Sequence, residues 1–175
     1  DLLAQAEHDD DAIPILVTPS EALANAVDSA LEAQLENLPT APTARNALRN
    51  GYVALVADVA EGARVCDRLA PEHLQVLTQD AERVAADLRH YGALFVGSTS
   101  AEVFGDYGVG PNHTLPTGGV ARYKGGLSVL DFLRVRTWLR MDGGQNTAGI
   151  SADAAAMARL EGLEGHARAA ERRLT

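Results

Sequence analysis

Apolar positions follow two periods along this chain. Residues 13–17, 52–57, 74–77 and 93–96 are short, nearly continuous apolar runs of strand length. They predict four strands, the first two buried. Between them apolar residues recur at helical spacing, most clearly Leu23, Val27, Leu31, Leu35 and Leu38. Thr18-Pro19-Ser20-Glu21 reads as a capping box with proline at the first helical position, and Pro39 and Pro42 end that helix. Residues 43–49 read as a short helix closed by Asn50-Gly51. Asp58 with Glu61 opens the next, which runs to about Leu69 before Pro71 breaks the chain. Thr78 is expected to cap a helix reaching about His90, whose imidazole then sits favourably at the helix end. Strands alternating with helices predict an α/β fold with a largely parallel sheet and flanking helices.

Beyond the fourth strand the pattern changes. Ser128 with Asp131 looks like another helix start, residues 134–141 alternate in part like a strand, and residues 142–146 read as a turn or linker. Residues 151–173 form a mainly helical tail, interrupted near Gly162 and Gly165. The expected division is therefore 1–126 for the α/β part and 127–175 for the tail. At the other end, Asp1-Leu2-Leu3-Ala4 reads as the inside of a helix. That helix should stop near His8, because Asp9, Asp10 and Asp11 would oppose its dipole. The opening suggests a fragment of a longer chain.

Composition narrows the function classes. The 175 residues suffice for one domain with a real core. A net charge of −9 argues against a nucleic-acid partner, and Arg134, Arg136 and Arg140 read as a solvated face. No apolar run approaches the roughly 20 residues that span a bilayer, so no membrane partner is expected, and no signal peptide is visible. The single cysteine, Cys66, excludes an intrachain disulfide and reads as a buried structural thiol.

The residues with chemistry concentrate between Ala70 and Lys124. Ala70-Pro71-Glu72-His73-Leu74 puts a carboxylate and an imidazole directly after a proline break. Phe104 to Gly119 contains five Gly and two Pro in sixteen residues, beside Asp106 and His113. That glycine content is entropically costly unless the backbone must approach something closely. Gln5 and His8 are three apart and share a helix face, which suits either a polar helix end or two metal ligands. Glu161 and His166 read by themselves as solvated helix residues. Imidazole, as a class, titrates near neutrality and suits removal of an alcohol proton, while a carboxylate can activate water.

Pro-Glu-His-Leu at 71–74, then Phe-Gly-Asp-Tyr-x-x-Gly-Pro-Asn-His-x-Leu-Pro-Thr at 104–117, then Gly-Gly-Leu-Ser-Val at 125–129, together resemble histidinol dehydrogenase. Asp-Leu-x-Ala-Gln-x-Glu-His at 1–8 fits the same family. The resemblance looks like the C-terminal two-fifths of a longer chain with a Rossmann-like sheet. It implies zinc on Gln5, His8, Asp106 and His166. His73 would be the base in alcohol oxidation and Glu72 the activator of water. His113 and Glu161 would lie near the substrate with these residues, although a plain loop histidine remains open for His113.

The implied reaction is the oxidation of L-histidinol through L-histidinaldehyde to L-histidine with two NAD, the last steps of histidine biosynthesis, in the cytoplasm. The resemblance also implies a homodimer whose active site is shared between subunits, with His166 supplied by the partner. NAD is not legible in this chain: Gly105, Gly108 and Gly110 have the wrong spacing for a dinucleotide fingerprint. The cofactor half is expected upstream, so residues 1–175 alone should be inactive. Two alternatives stay open. One is a related dehydrogenase acting on another small polyol or amino alcohol. The other is a zinc-binding fragment without turnover of its own.

Overall fold

The structure is a computed structural model that describes residues 1–110 and 112–173, with only the backbone of Gln145. Pro111, in the glycine-rich motif, lies outside the described residues. The chain divides into two compact units, Asp1–Phe132 and Leu133–Thr175.

In the first unit all four apolar runs form strands: β1 (Ile15–Thr18), β2 (Tyr52–Leu55), β3 (His73–Val76) and β4 (Ala93–Val96). Both pairings are parallel, β1 with β2 and β3 with β4, giving two two-stranded sheets. Parallel neighbours need a crossover. Here the first crossover is α2 (Glu21–Leu35) with α3 (Ala41–Leu48), and the second is α5 (Ala81–Asp87). Helix α4 (Val59–Leu69) links the two pairs in sequence and serves both. Its Gly62 faces Val17 and Val56, and its Ala63 and Cys66 pack against the Leu74, Val76 and Leu88 cluster.

Helix starts follow local hydrogen bonding. Asp58 caps α4 by accepting the Glu61 N–H at 2.7 Å, and the Glu61 carboxylate accepts the Ala57 N–H at 2.6 Å. For α2 the cap is Ser20, whose Oγ accepts the Leu23 N–H at 3.1 Å. Thr18 closes the preceding turn instead, accepting the Ser20 N–H. Pro42 lies in the first turn of α3 and starts that helix, because its missing N–H would be unpaired there in any case.

Thr78 does not cap α5. Asp80 stands at that position, and the Thr78 hydroxyl is turned inward with no hydrogen-bond partner among the described residues. Nor does α5 reach His90. The Asp67 carboxylate on α4 accepts the N–H groups of Arg89 and His90 at 2.8 and 3.0 Å, drawing the chain away, and Leu88 drops into the core.

Strand β2 is largely exposed rather than buried. Tyr52 and Val53 are each 46 % accessible, because β1 is the only strand paired with it among the described residues. Cys66 is half-buried rather than fully enclosed as expected. Burial first, and the Asp67 charge second, push its thiol above the ordinary range. It should therefore react with an aromatic disulfide reagent near pH 7.5 at least about tenfold more slowly in the folded protein than after unfolding. Equal labelling rates in the two states would contradict that burial.

The five-residue helix α1 (Leu2–Ala6) is too short to stand alone. It is pinned through Ala6, fully buried with Leu35, Ala44 and Ala47. Burying Leu35 there contributes about 1.5–3 kcal/mol. The hydroxyl of Thr40 also donates to the Glu7 carboxylate, and the Asn50 amide donates to the Asp10 carbonyl at 3.0 Å.

In the second unit, α6 (Gln145–Leu160) packs on α7 (Glu164–Glu171). The helix starts earlier than expected, inside the apparent linker. The Asp142 carboxylate accepts the Gly144 N–H and the Thr147 hydroxyl, building the turn before it. The break at 162 is a Schellman closure: Leu163 N–H donates to the Ala158 carbonyl and Gly162 N–H to that of Arg159. Arg159 then bridges Glu164 and Glu171 across the hairpin. Residues 134–141 form no strand. The segment is irregular, with Val135 and Trp138 91 % and 84 % exposed, because no neighbouring strand is available to it among the described residues.

Candidate active site

Alternation along β3 and β4 separates two faces. Leu74, Val76 and Leu94 meet α4 and α5 in the core. His73, Gln75 and Phe95 lie on the other face, where the chain after β4 returns over them. The approach to this face begins at Ala70, fully buried and held in the left-handed region at φ 50°, where it ends α4. A non-glycine residue in that conformation is uncommon and tends to mark functional positions. Pro71 cannot continue the helix, and Glu72 bends the chain into His73, the first residue of β3.

Strand β4 starts in tight register with this turn. Gly92 N–H donates to the Pro71 carbonyl at 2.9 Å and Ala93 N–H to that of Glu72 at 2.8 Å. A Cβ on Gly92 would lie 2.5 Å from the Glu72 oxygen, so only glycine permits this approach.

The returning segment turns once as a 3₁₀ helix, Glu102–Gly105. Gly105 sits against the Phe95 ring, where a Cβ would fall 2.9 Å from Cζ. Its bare backbone seats the turn on the sheet face. Glu102 is thereby buried, 6 % exposed, with its Oε1 3.5 Å from Nε2 of His73. The imidazole also stacks on Phe95, with ring centroids 6.0 Å apart and planes at 29°. Asp106 follows the turn and is half-buried. One donor atom each from His73, Glu102 and Asp106 lies within 4.8 Å of the others. Imidazole nitrogen and carboxylate oxygen are donor types that zinc takes. A cleft of about 320 Å³, lined by Phe95, Asn112, Leu115 and Leu127, shares Phe95 with this site but none of the trio. A larger cleft of about 390 Å³, over Leu16, Val27, Leu31 and Tyr52, holds none of the candidate residues.

The sequence candidates fall as follows. His73 and Asp106 come together. Glu72 is half-buried beside His73 in the chain. Gln5 is half-buried and His8 exposed, at and just beyond the end of α1, and His8 is not one of the trio. His113 is exposed on the glycine-rich loop. Glu161 and His166 are exposed in the second unit, at the end of α6 and on α7. Glu102 went unrecognised in the sequence. Its only signal there is a carboxylate one helical turn before Asp106, a spacing that surface acids commonly show.

A His, Glu and Asp trio able to hold a metal, on a parallel α/β scaffold, defines the class. Comparison with known proteins gives the family. The histidinol dehydrogenase family model matches residues 1–174. Histidinol dehydrogenase of Nitratidesulfovibrio vulgaris is 50 % identical over 175 residues, covering 99 % of this chain and 40 % of the relative. That of Geobacillus kaustophilus is 48 % identical over 182 residues, covering 99 % and 41 %. The crystal structure of histidinol dehydrogenase from Elizabethkingia anophelis superposes with a TM-score of 0.92 at 32 % identity, over 99 % of this chain and 40 % of that one. The chain belongs to the histidinol dehydrogenase family and spans about two-fifths of the length of these relatives.

Proposed function

We propose that the protein carrying this chain oxidises L-histidinol through L-histidinaldehyde to L-histidine, the closing steps of histidine biosynthesis, using zinc and NAD. The observation that carries the reading is the trio. His73, the base implied by the family motif, and Asp106, an implied zinc ligand, share one constellation in a chain that matches the family along its length. Zinc would be held by Gln5, His8 and Asp106, with His166 from the partner subunit of a homodimer, and would polarise the amino alcohol and imidazole of the substrate. His113 and Glu161 would border the substrate. The dimer is supported by the run Val135, Trp138 and Leu139, whose exposure is typical of a surface covered by another chain.

The chain's own residues account for the proton steps. His73 removes the alcohol proton as the first oxidation proceeds. Glu72 activates the water that adds to the aldehyde, supplying the second oxygen of the carboxylate before the second oxidation. The chemistry NAD would supply when bound is hydride acceptance in both oxidations. No residue here is assigned to it, because no G-x-G-x-x-G fingerprint follows any of β1 to β4.

The test is to supply the complete protein with zinc, NAD and L-histidinol and to follow NADH and product. Two NADH per L-histidine is expected, with a panel of other small polyols and amino alcohols turned over far more slowly. Preference for another member of that panel would replace the substrate. Stoichiometric zinc binding without NADH from any alcohol would favour a binding role.

A further inference from the structure

We propose that Glu102 is a positioning residue for His73, with its buried carboxylate receiving the Nε2–H of the imidazole and leaving Nδ1 as the proton acceptor. The proposal rests on the assignment of His73 as the base. A carboxylate that is 6 % exposed is costly unless a donor meets it. Among the described residues, His73 is the only side chain within ion-pair distance of Glu102, and no hydrogen bond reaches the Glu102 carboxylate. The 3.5 Å separation is long for a hydrogen bond. Catalytic hydrogen bonds are often long before substrate binds and tighten afterwards.

The ring is also held from its face. Phe95 stacks on it, and Gly105 lets the Glu102 turn sit on Phe95 without displacing it. Two of the imidazole's freedoms are thus restricted by different elements: tilt by β4 and rotation about its own axis by the 3₁₀ turn. In a neutral imidazole only one nitrogen carries hydrogen. An acceptor fixed at Nε2 therefore selects the tautomer whose lone pair is on Nδ1, at the opposite edge of the ring. Asp106, less buried than Glu102 and one turn further on, remains available to a metal.

A double-mutant cycle in the complete protein tests this, with zinc content measured on every variant. Glu102→Ala should lower kcat for alcohol oxidation about 10–100-fold, the usual effect of losing an orienting partner. KM should change less than about threefold and bound zinc should not change. In a His73→Ala background the same substitution should cost nothing further, since Glu102 acts only through the imidazole. Glu102→Gln keeps an acceptor oxygen with the same shape, and should recover more of the rate than alanine does.

Loss of zinc in Glu102→Ala would make Glu102 a ligand and overturn the proposal. So would an equal loss of rate with and without His73, or an unchanged rate in Glu102→Ala. A full rate in His73→Ala alone would remove the base assignment itself, and this proposal with it. Should the alanine variant fail to fold, the wild-type protein answers directly. Long-range ¹⁵N–¹H correlation of His73 should show hydrogen on Nε2, and hydrogen on Nδ1 would overturn the assignment.

Discussion

Replacing His73 with alanine is expected to lower alcohol oxidation by the complete protein about 10²–10⁴-fold, the range of a positioned general base, if the proposed reaction is the right one. The expectation follows from its setting. His73 begins β3, is clasped between Phe95 and Glu102, and lies within 4.8 Å of the Asp106 carboxylate. A surface histidine would have none of these contacts. Glu72→Gln should behave differently: it should chiefly slow conversion of the aldehyde to the acid, because an amide cannot accept a proton from water. Stopped-flow traces with histidinol and with histidinaldehyde separate the two. Wild-type rates in both variants, for both substrates, would take these residues out of the mechanism.

Asp106→Ala should abolish stoichiometric zinc binding and depress turnover by more than about 100-fold, beyond the 10–100-fold typical of an outer-shell partner. Dialysis of the wild-type protein against a chelator should have the same effect on turnover. Added zinc should restore the wild-type protein but not the variant. Asp106 is suited to this role because the turn before it rests on Phe95 through Gly105, so its carboxylate emerges from a fixed base. Metal analysis after gel filtration reads the result. An alanine variant that keeps one zinc per subunit would place the metal on other residues.

The local elements of this protein were legible in its sequence because their causes lie within a few residues. The Asp58 and Glu61 box follows from N–H groups with nearby acceptors, the runs that became β1 to β4 from their apolar pattern, and the break before Glu72 from the N–H that Pro71 lacks, each within a few residues. The linear motifs around His73 and Asp106 were readable too, since each is contiguous. What only the tertiary structure decided depends on segments far apart in the chain. Asp67 ends α5 by capturing the N–H groups of Arg89 and His90. Among the described residues, strand β2 stays exposed for want of a second neighbour, and residues 134–141, strand-like in pattern, lack any. Glu102 is the sharpest case. Nothing within its own stretch separates it from a surface acid, and it becomes a buried partner of His73 only because a turn after β4 folds back onto the face of β3. Hydrogen bonds between near neighbours are encoded locally. Burial of a charge is set by whichever distant surface covers it, and no window of sequence contains that surface.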